Sequence, residues 1–130
     1  MSINYAVIVE DYVERHFIKK FRKKYKNAWD ITWRAILEEF KRTDSLFETS
    51  IAETIAVKGS LKICKTEFRV AGTKESRRSS GNRCIVAVDV NKCVVCVLLV
   101  YHKNDLGSGN ETTEWKNLIK ENYPEYKSLF

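Results

Sequence analysis

At 130 residues and 15.2 kDa, the chain can build one hydrophobic core but not two, and a single domain over residues 1–130 is expected. Its 44% hydrophobic, 31% charged and 12% aromatic residues argue against disorder, a collagen-like repeat and a disulfide framework. With 23 Lys and Arg against 17 Asp and Glu the formal charge is +6, a moderate excess whose placement matters more than its size.

The N-terminus, Met1-Ser2-Ile3-Asn4-Tyr5, carries neither a basic stretch nor a small-residue cleavage site. The longest apolar run, near Cys93–Tyr101, falls far short of the roughly 20 residues a membrane helix needs. A cytoplasmic location with no membrane partner is the expectation. Ile3–Val9 reads as the first strand. From Asp11 the period changes: Val13, Phe17, Phe21 and Tyr25 recur every four residues, one apolar stripe on a helix. Around that stripe, Lys19–Lys26 holds six basic residues and no acid. Such a concentration fits a polyanion such as nucleic acid, although a solvated helix face is the plainer reading. Asn27 punctuates, and Trp29, Trp33, Ile36, Leu37 and Phe40 outline a second amphipathic helix.

The span Thr43–Ser60 is ambiguous between helix and strand. Leu61–Val70 then alternates as a strand, Ala71–Asn82 is a polar loop, and the cluster Lys74–Arg83 that runs out of it holds four basic residues against one acid. Cys84–Asp89 and Cys93–Tyr101 form a hairpin about Val90-Asn91, and Thr112 caps a last helix carrying Trp115, Leu118 and Ile119. The order β-α-α-β-β-β-α implies an α+β fold, a small antiparallel-rich sheet with an N-terminal helical hairpin packed on one face. The pair Cys93-x-x-Cys96 lies on a predicted strand, where residues three apart point to opposite faces. Neither a zinc site nor any other metal or cofactor is expected.

A two-residue turn at Val90-Asn91 sets Arg83 opposite Leu98. One face of the hairpin then carries Cys84, Val86, Val88, Cys93, Val95, Val97, Leu99 and Tyr101 and buries against the helices. The other carries Arg83, Ile85, Ala87, Val94, Cys96, Leu98, Val100 and His102, and its apolar centre needs cover from the last helix or another protein. Arg83 and His102 share that face, with about 13 Å between backbones at 3.3 Å per residue.

Two helices, a strand, the turn Ser79-Ser80-Gly81-Asn82-Arg83, an apolar hairpin and the ending Val100-Tyr101-His102-Lys103-Asn104-Asp105 resemble the RelE/ParE superfamily of toxins from type II toxin–antitoxin systems. The resemblance covers about Tyr5 to Asp105. It implies a ribosome-associated endoribonuclease that cuts mRNA and is neutralised by a cognate antitoxin, as a homodimer or a toxin–antitoxin hetero-oligomer. By the same resemblance Arg83 holds the scissile phosphate, Lys74 and Arg78 belong to its basic set, and Lys103 falls at a second catalytic cation. Tyr101-His102 is similar to the Tyr-His of HigB-type relatives. The chain departs from RelE at Ser76, where a lysine is common, and at Gly109, where the C-terminal tyrosine falls. ParE-like inhibition of gyrase and an inert binding module are the alternatives.

Metal-independent RNA cleavage sends the ribose 2′-hydroxyl against the adjacent phosphate and needs a base, an acid and positive charge. His102 suits acid/base work, Arg83 can grip phosphate bidentately, and Lys103 supplies further charge. Arg77, Arg78, Lys74, Lys19 and Lys23 are expected to bind the RNA backbone, and Tyr101 to stack on a base if it reaches solvent.

Overall fold

A computed structural model describes residues 4–43, 52–107 and 109–130. Strand β1, Ala6–Val9, opens the chain. A helix follows from residue 11 to residue 25, here α1, in three stretches: α-helical Asp11–Val13, π-helical Glu14–Ile18 and α-helical Lys19–Tyr25. Lys26, at φ 51° and ψ −121°, breaks the helix and turns it into α2, Asn27–Lys41. Strands β2 (Ala52–Lys58), β3 (Leu61–Phe68), β4 (Asn82–Asp89) and β5 (Val94–His102) come next. The chain ends with α3, Glu111–Asn122, and a 3-10 segment, Pro124–Leu129.

The α+β expectation holds, with one addition. The ambiguous span contributes strand β2, so the order is β-α-α-β-β-β-β-α; Ile51, from the same span, lies outside the described residues. The sheet runs β1-β5-β4-β3-β2, antiparallel except for β1, which lies parallel to β5. The first strand is shorter than the span read from the sequence, whose first residue, Ile3, lies outside the described residues. Asn110, not Thr112, caps α3, its side chain accepting from the Thr113 N–H at 3.2 Å.

Two cores flank the sheet. On one side Phe21, Trp29, Ile36 and Phe40 of the helical hairpin pack on Cys84, Val86, Val88, Val95, Val97 and Val100. Trp29 is fully buried, with the Phe21 ring at 4.8 Å and the Trp33 ring at 5.4 Å. On the other side α3 brings Trp115 and Ile119 onto Ile85, Ala87, Leu98, Leu99 and Tyr101. The second apolar face of the sheet is therefore covered by the chain's own last helix. Thr32 ties the long β3–β4 loop to α2, donating to the Ala28 carbonyl and accepting from the Ala71 N–H, each at 2.8 Å.

The β4–β5 connection corrects the register drawn from the sequence. Asp89 Oδ1 accepts from the N–H groups of Asn91 (3.1 Å) and Lys92 (3.0 Å), and Cys93 takes a left-handed φ of 54°. The loop so formed has four residues, not two, and it sets Asp89 opposite Val94. A bulge between the pairs Val86–Val97 and Ile85–Leu99 then adds one more residue to β5. Arg83 consequently lies opposite Tyr101, not Leu98, and His102 lies opposite Asn82. Beyond the bulge the faces exchange. Leu99 and Tyr101 turn to α3, while Val100 joins the helical-hairpin side.

Lys26 occupies backbone space that a side chain tolerates poorly, and it is exposed. Lys26→Gly should therefore stabilise the protein by about 1 kcal/mol, and Lys26→Val should destabilise it, as read by thermal unfolding.

Candidate functional site

The end of β5 and the basic helix meet in a cleft. Phe17, Lys20, Phe21, Lys24 and Tyr25 of α1 form one wall; Asn82 and His102, paired across β4 and β5, form the other, with buried Tyr101 beneath them and Asp105 at the rim. The helix supplies this wall because positions 17, 20, 21, 24 and 25 recur at i, i+3, i+4, i+7 and i+8 and so share one stripe. Phe21 is buried and anchors it, while Lys20 and Lys24 are exposed. Lys24 Nζ lies 5.2 Å from the centre of the Tyr25 ring. Two cations, a half-buried aromatic ring and an imidazole thus face one opening.

The imidazole is held in a defined state. His102 Nδ1 accepts from the Asn104 N–H at 3.1 Å, which places the proton of a neutral ring on Nε2. The same bond caps the short 3-10 turn Lys103–Asp105. Nε2 faces Gly81, where a Cβ would lie only 2.7 Å away. Gly81 has φ +79°, so both its backbone and its missing side chain keep that approach open. Lys103 fixes the strand end through its backbone, donating to the Gly81 carbonyl at 2.8 Å, and its side chain is exposed.

Arg83 belongs to the other face. This corrects the expectation that Arg83 and His102 converge on one phosphate: residues paired directly across strands share a face, and Arg83 pairs with Tyr101 while His102 pairs with Asn82. Arg83 is 7% exposed, and its guanidinium donates to the carbonyls of Asn82 (3.0 Å) and Arg78 (3.3 Å). Its Nε has no hydrogen-bond partner among the described residues. A guanidinium so enclosed cannot receive a phosphate without rearrangement of the chain around it.

Tyr101 is also committed. Only 1% exposed, it donates to Glu111 Oε2 at 2.7 Å, and burial together with the Glu111 carboxylate holds its hydroxyl well above the usual tyrosine range. Its ring is not free to stack on a base. Lys65 Nζ reaches the same Glu111 oxygen at 3.4 Å. Burial alone would raise the Glu111 carboxyl, but the Tyr101 hydrogen bond and the charges of Lys65 and Arg83 outweigh it and hold the group below its ordinary value.

The remaining sequence candidates scatter. Arg77 forms a bidentate pair with Glu39 of α2, one arm at 3.1 Å, and this pairing raises its already high pKa. Lys74 and Arg78 are exposed on the β3–β4 loop. Lys19 and Lys23 are exposed on α1 outside the cleft, whereas their neighbours Lys20 and Lys24 line it. The sequence signal for those two was their spacing from Phe17 and Phe21. Cys93 and Cys96 are half-buried and unpaired, and burial pushes the Cys64 thiol up to about 11. Among the described residues no three His, Cys, Asp or Glu side chains gather as a metal site would require. No helix among them is long and apolar enough to cross a membrane.

Two outcomes follow from this geometry. Because the folded Glu111 carboxyl titrates below its unfolded value, its contribution to stability is present above the ordinary carboxylate range and is lost as pH falls through the folded pKa. Glu111→Gln should therefore lower stability at neutral pH and flatten the acid limb of a pH–stability curve measured by chemical denaturation. Gly81→Ala should cost about 1–2 kcal/mol from the left-handed backbone alone, and it should shift the His102 ring resonances in NMR.

No protein-family model and no curated protein sequence matches the chain. A solved structure does: a chain of the archaeal RelE–RelB complex from Pyrococcus horikoshii OT3 superposes with a TM-score of 0.55 at 14% identity, over 79% of this chain and 99% of that one. By its architecture, this chain is similar to a RelE-type fold.

Proposed function

We propose that the chain is a RelE-like toxin that cuts mRNA on the ribosome without a metal ion, with the cleft at the end of β5 as its site. One observation carries the reading: His102 shares a cleft with Lys20, Lys24 and the Tyr25 ring, on a fold similar to that of a RelE–RelB complex chain. Lys20 and Lys24 supply the positive charge that a phosphodiester demands, and Tyr25 offers a face to a base. Lys74 and Arg78 on the β3–β4 loop and Lys103 after β5 are further exposed cations that an RNA backbone could meet outside the cleft. The residues Lys19 and Lys23 add contacts on the outer side of α1.

In the reaction, the 2′-oxygen bonds to phosphorus as the bond from phosphorus to the 5′-oxygen breaks. The 2′-hydroxyl gives up its proton to a base, and the departing 5′-oxygen takes one from an acid. The products are a 2′,3′-cyclic phosphate and a 5′-hydroxyl. The Nε2 end of the His102 ring packs on Gly81, so it donates to a phosphate oxygen only once the ring turns off the glycine into the cleft. To serve as the acid, the ring must also take a proton on Nδ1, which means releasing the Asn104 N–H. Arg83 acts here from beneath, bracing the Arg78 and Asn82 carbonyls of the turn that carries Gly81.

An antitoxin is part of this reading. The face of the sheet that the sequence left half-apolar is filled by α3, so a partner would dock elsewhere. Among the described residues, Val57 on edge strand β2 and Ile8 on edge strand β1 are large apolar side chains that the sheet leaves exposed.

Induced expression should arrest growth and produce new mRNA 5′ ends on ribosomes, mapped by primer extension. His102→Ala should slow cleavage by about 10²- to 10⁴-fold. His102→Gln keeps an N–H donor near the position of Nε2 and should recover part of that loss if the donor role dominates. Lys20→Ala and Lys24→Ala should each weaken RNA binding and shallow its salt dependence, by about one counterion apiece. Arrest with intact mRNA and damaged DNA would overturn the nuclease assignment in favour of gyrase inhibition.

A further inference from the structure

The cleft at His102 does not stop at α1. Beyond Phe17, Lys20 and Asp105 a second recess opens, lined by Tyr12, Arg15, His16 and Glu114, and those first three residues form the wall common to both. The two histidines of the chain therefore stand in adjoining recesses on either side of one lysine.

The local backbone explains the arrangement. His16 and Phe17 lie in the π-helical stretch Glu14–Ile18, whose wider turn rotates side chains away from the positions an α-helix would give them. Phe17 becomes the partition, and exposed His16 lies tilted against Tyr12, with ring centres 4.8 Å apart and ring planes at 42°. Tyr12 is seated in turn on Phe17 (5.9 Å) and Tyr123 (5.8 Å), so the platform is backed by the core. Arg15 pairs with Asp11 at 3.0 Å, and both side chains are exposed, a pairing weak enough for a phosphate to displace. Glu114, from the first turns of α3, is half-buried; its carboxylate lies beside Gly107 and Gly109 of the preceding loop and lines the recess.

We propose that this recess is a second nucleotide subsite. It takes the nucleotide next to the phosphate at His102, with its base on the Tyr12–His16 rings, its phosphate between Arg15 and Lys20, and its base edge on Glu114. A carboxylate accepts and cannot donate, so it selects an edge that offers donors. Guanine presents N1–H and N2–H₂ side by side and fits a carboxylate with two hydrogen bonds; uracil presents one donor between two carbonyls. The subsite thus favours guanine over uracil. This inference rests on the RNA reading of the neighbouring cleft and gives that cleft a sequence preference.

The test is binding of fluorescein-labelled, single-stranded oligonucleotides of two, four and six residues, 2′-O-methylated so that they cannot be cut, followed by anisotropy. In the parent protein, affinity should rise from two to four residues, more for guanosine-containing than for uridine-containing oligonucleotides. His16→Ala should abolish that rise, about tenfold in affinity, and His16→Phe should restore it by keeping an aromatic face. Glu114→Gln should leave length dependence in place and remove the guanine preference. Equal binding by parent, His16→Ala and His16→Phe, or a base preference unchanged by Glu114→Gln, would overturn the subsite. Since nothing is cleaved in this assay, a parent that cuts no RNA but shows the His16-dependent rise defeats the nuclease reading and keeps the subsite. A parent that cuts RNA without the rise does the reverse.

Discussion

One extra residue in β5 decides what this molecule presents to solvent. In a strand, side chains alternate faces, so a single inserted residue exchanges the faces of everything that follows. The bulge beside Leu98 and Leu99 does this to the last four residues of the strand. It sends Tyr101 under α3 and turns His102 toward α1. Without it, His102 would join Arg83 on the α3 side, and α1 would face a tyrosine. The bulge also lets two leucines in succession serve the α3 core, where Trp115 and Ile119 need a broad apolar seat.

The second constraint is the helix opposite. An uninterrupted α-helix from residue 11 would keep the four-residue spacing of Val13, Phe17, Phe21 and Tyr25 as one drifting stripe. The π-helical stretch resets the phase near its middle. Val13 and Phe21 stay with the sheet, and Phe17 stands between two recesses. Lys20 and Lys24 then line the opening together with Phe17 and Phe21. Positive charge is brought to the end of β5 by a helix whose apolar side is fixed by Trp29 and Phe68.

Much of the architecture was legible in the chain. The four-residue spacing gave α1, the Trp29 to Phe40 pattern gave α2, and the β-branched runs gave β4 and β5. Strand β2 was not legible, because Ala52–Lys58 mixes charge with isolated apolar residues and is half-exposed along an edge. The site was half legible. Basic character and His102 stood out; the partnership of Arg83 with His102 did not survive. The reason is local: a two-residue turn was the shortest solution at Val90-Asn91, but Asp89 capping its own loop and Cys93 in left-handed geometry lengthen it. The bulge then has no sequence marker, since Leu98 and Leu99 are as apolar as their neighbours. Arg77 is likewise engaged by Glu39, a partner too distant in sequence for the local charge pattern to reveal.

The parallel pairing of β1 with β5 has a temporal consequence. Residue 6 is hydrogen-bonded into a ladder whose other side begins at residue 94, so the first strand has no berth until the last one has been made. The helix that follows β1 is carried by it, and its basic stripe reaches the end of β5 only when that ladder closes. Until residues 94–102 have joined the sheet, the two-sided opening does not exist.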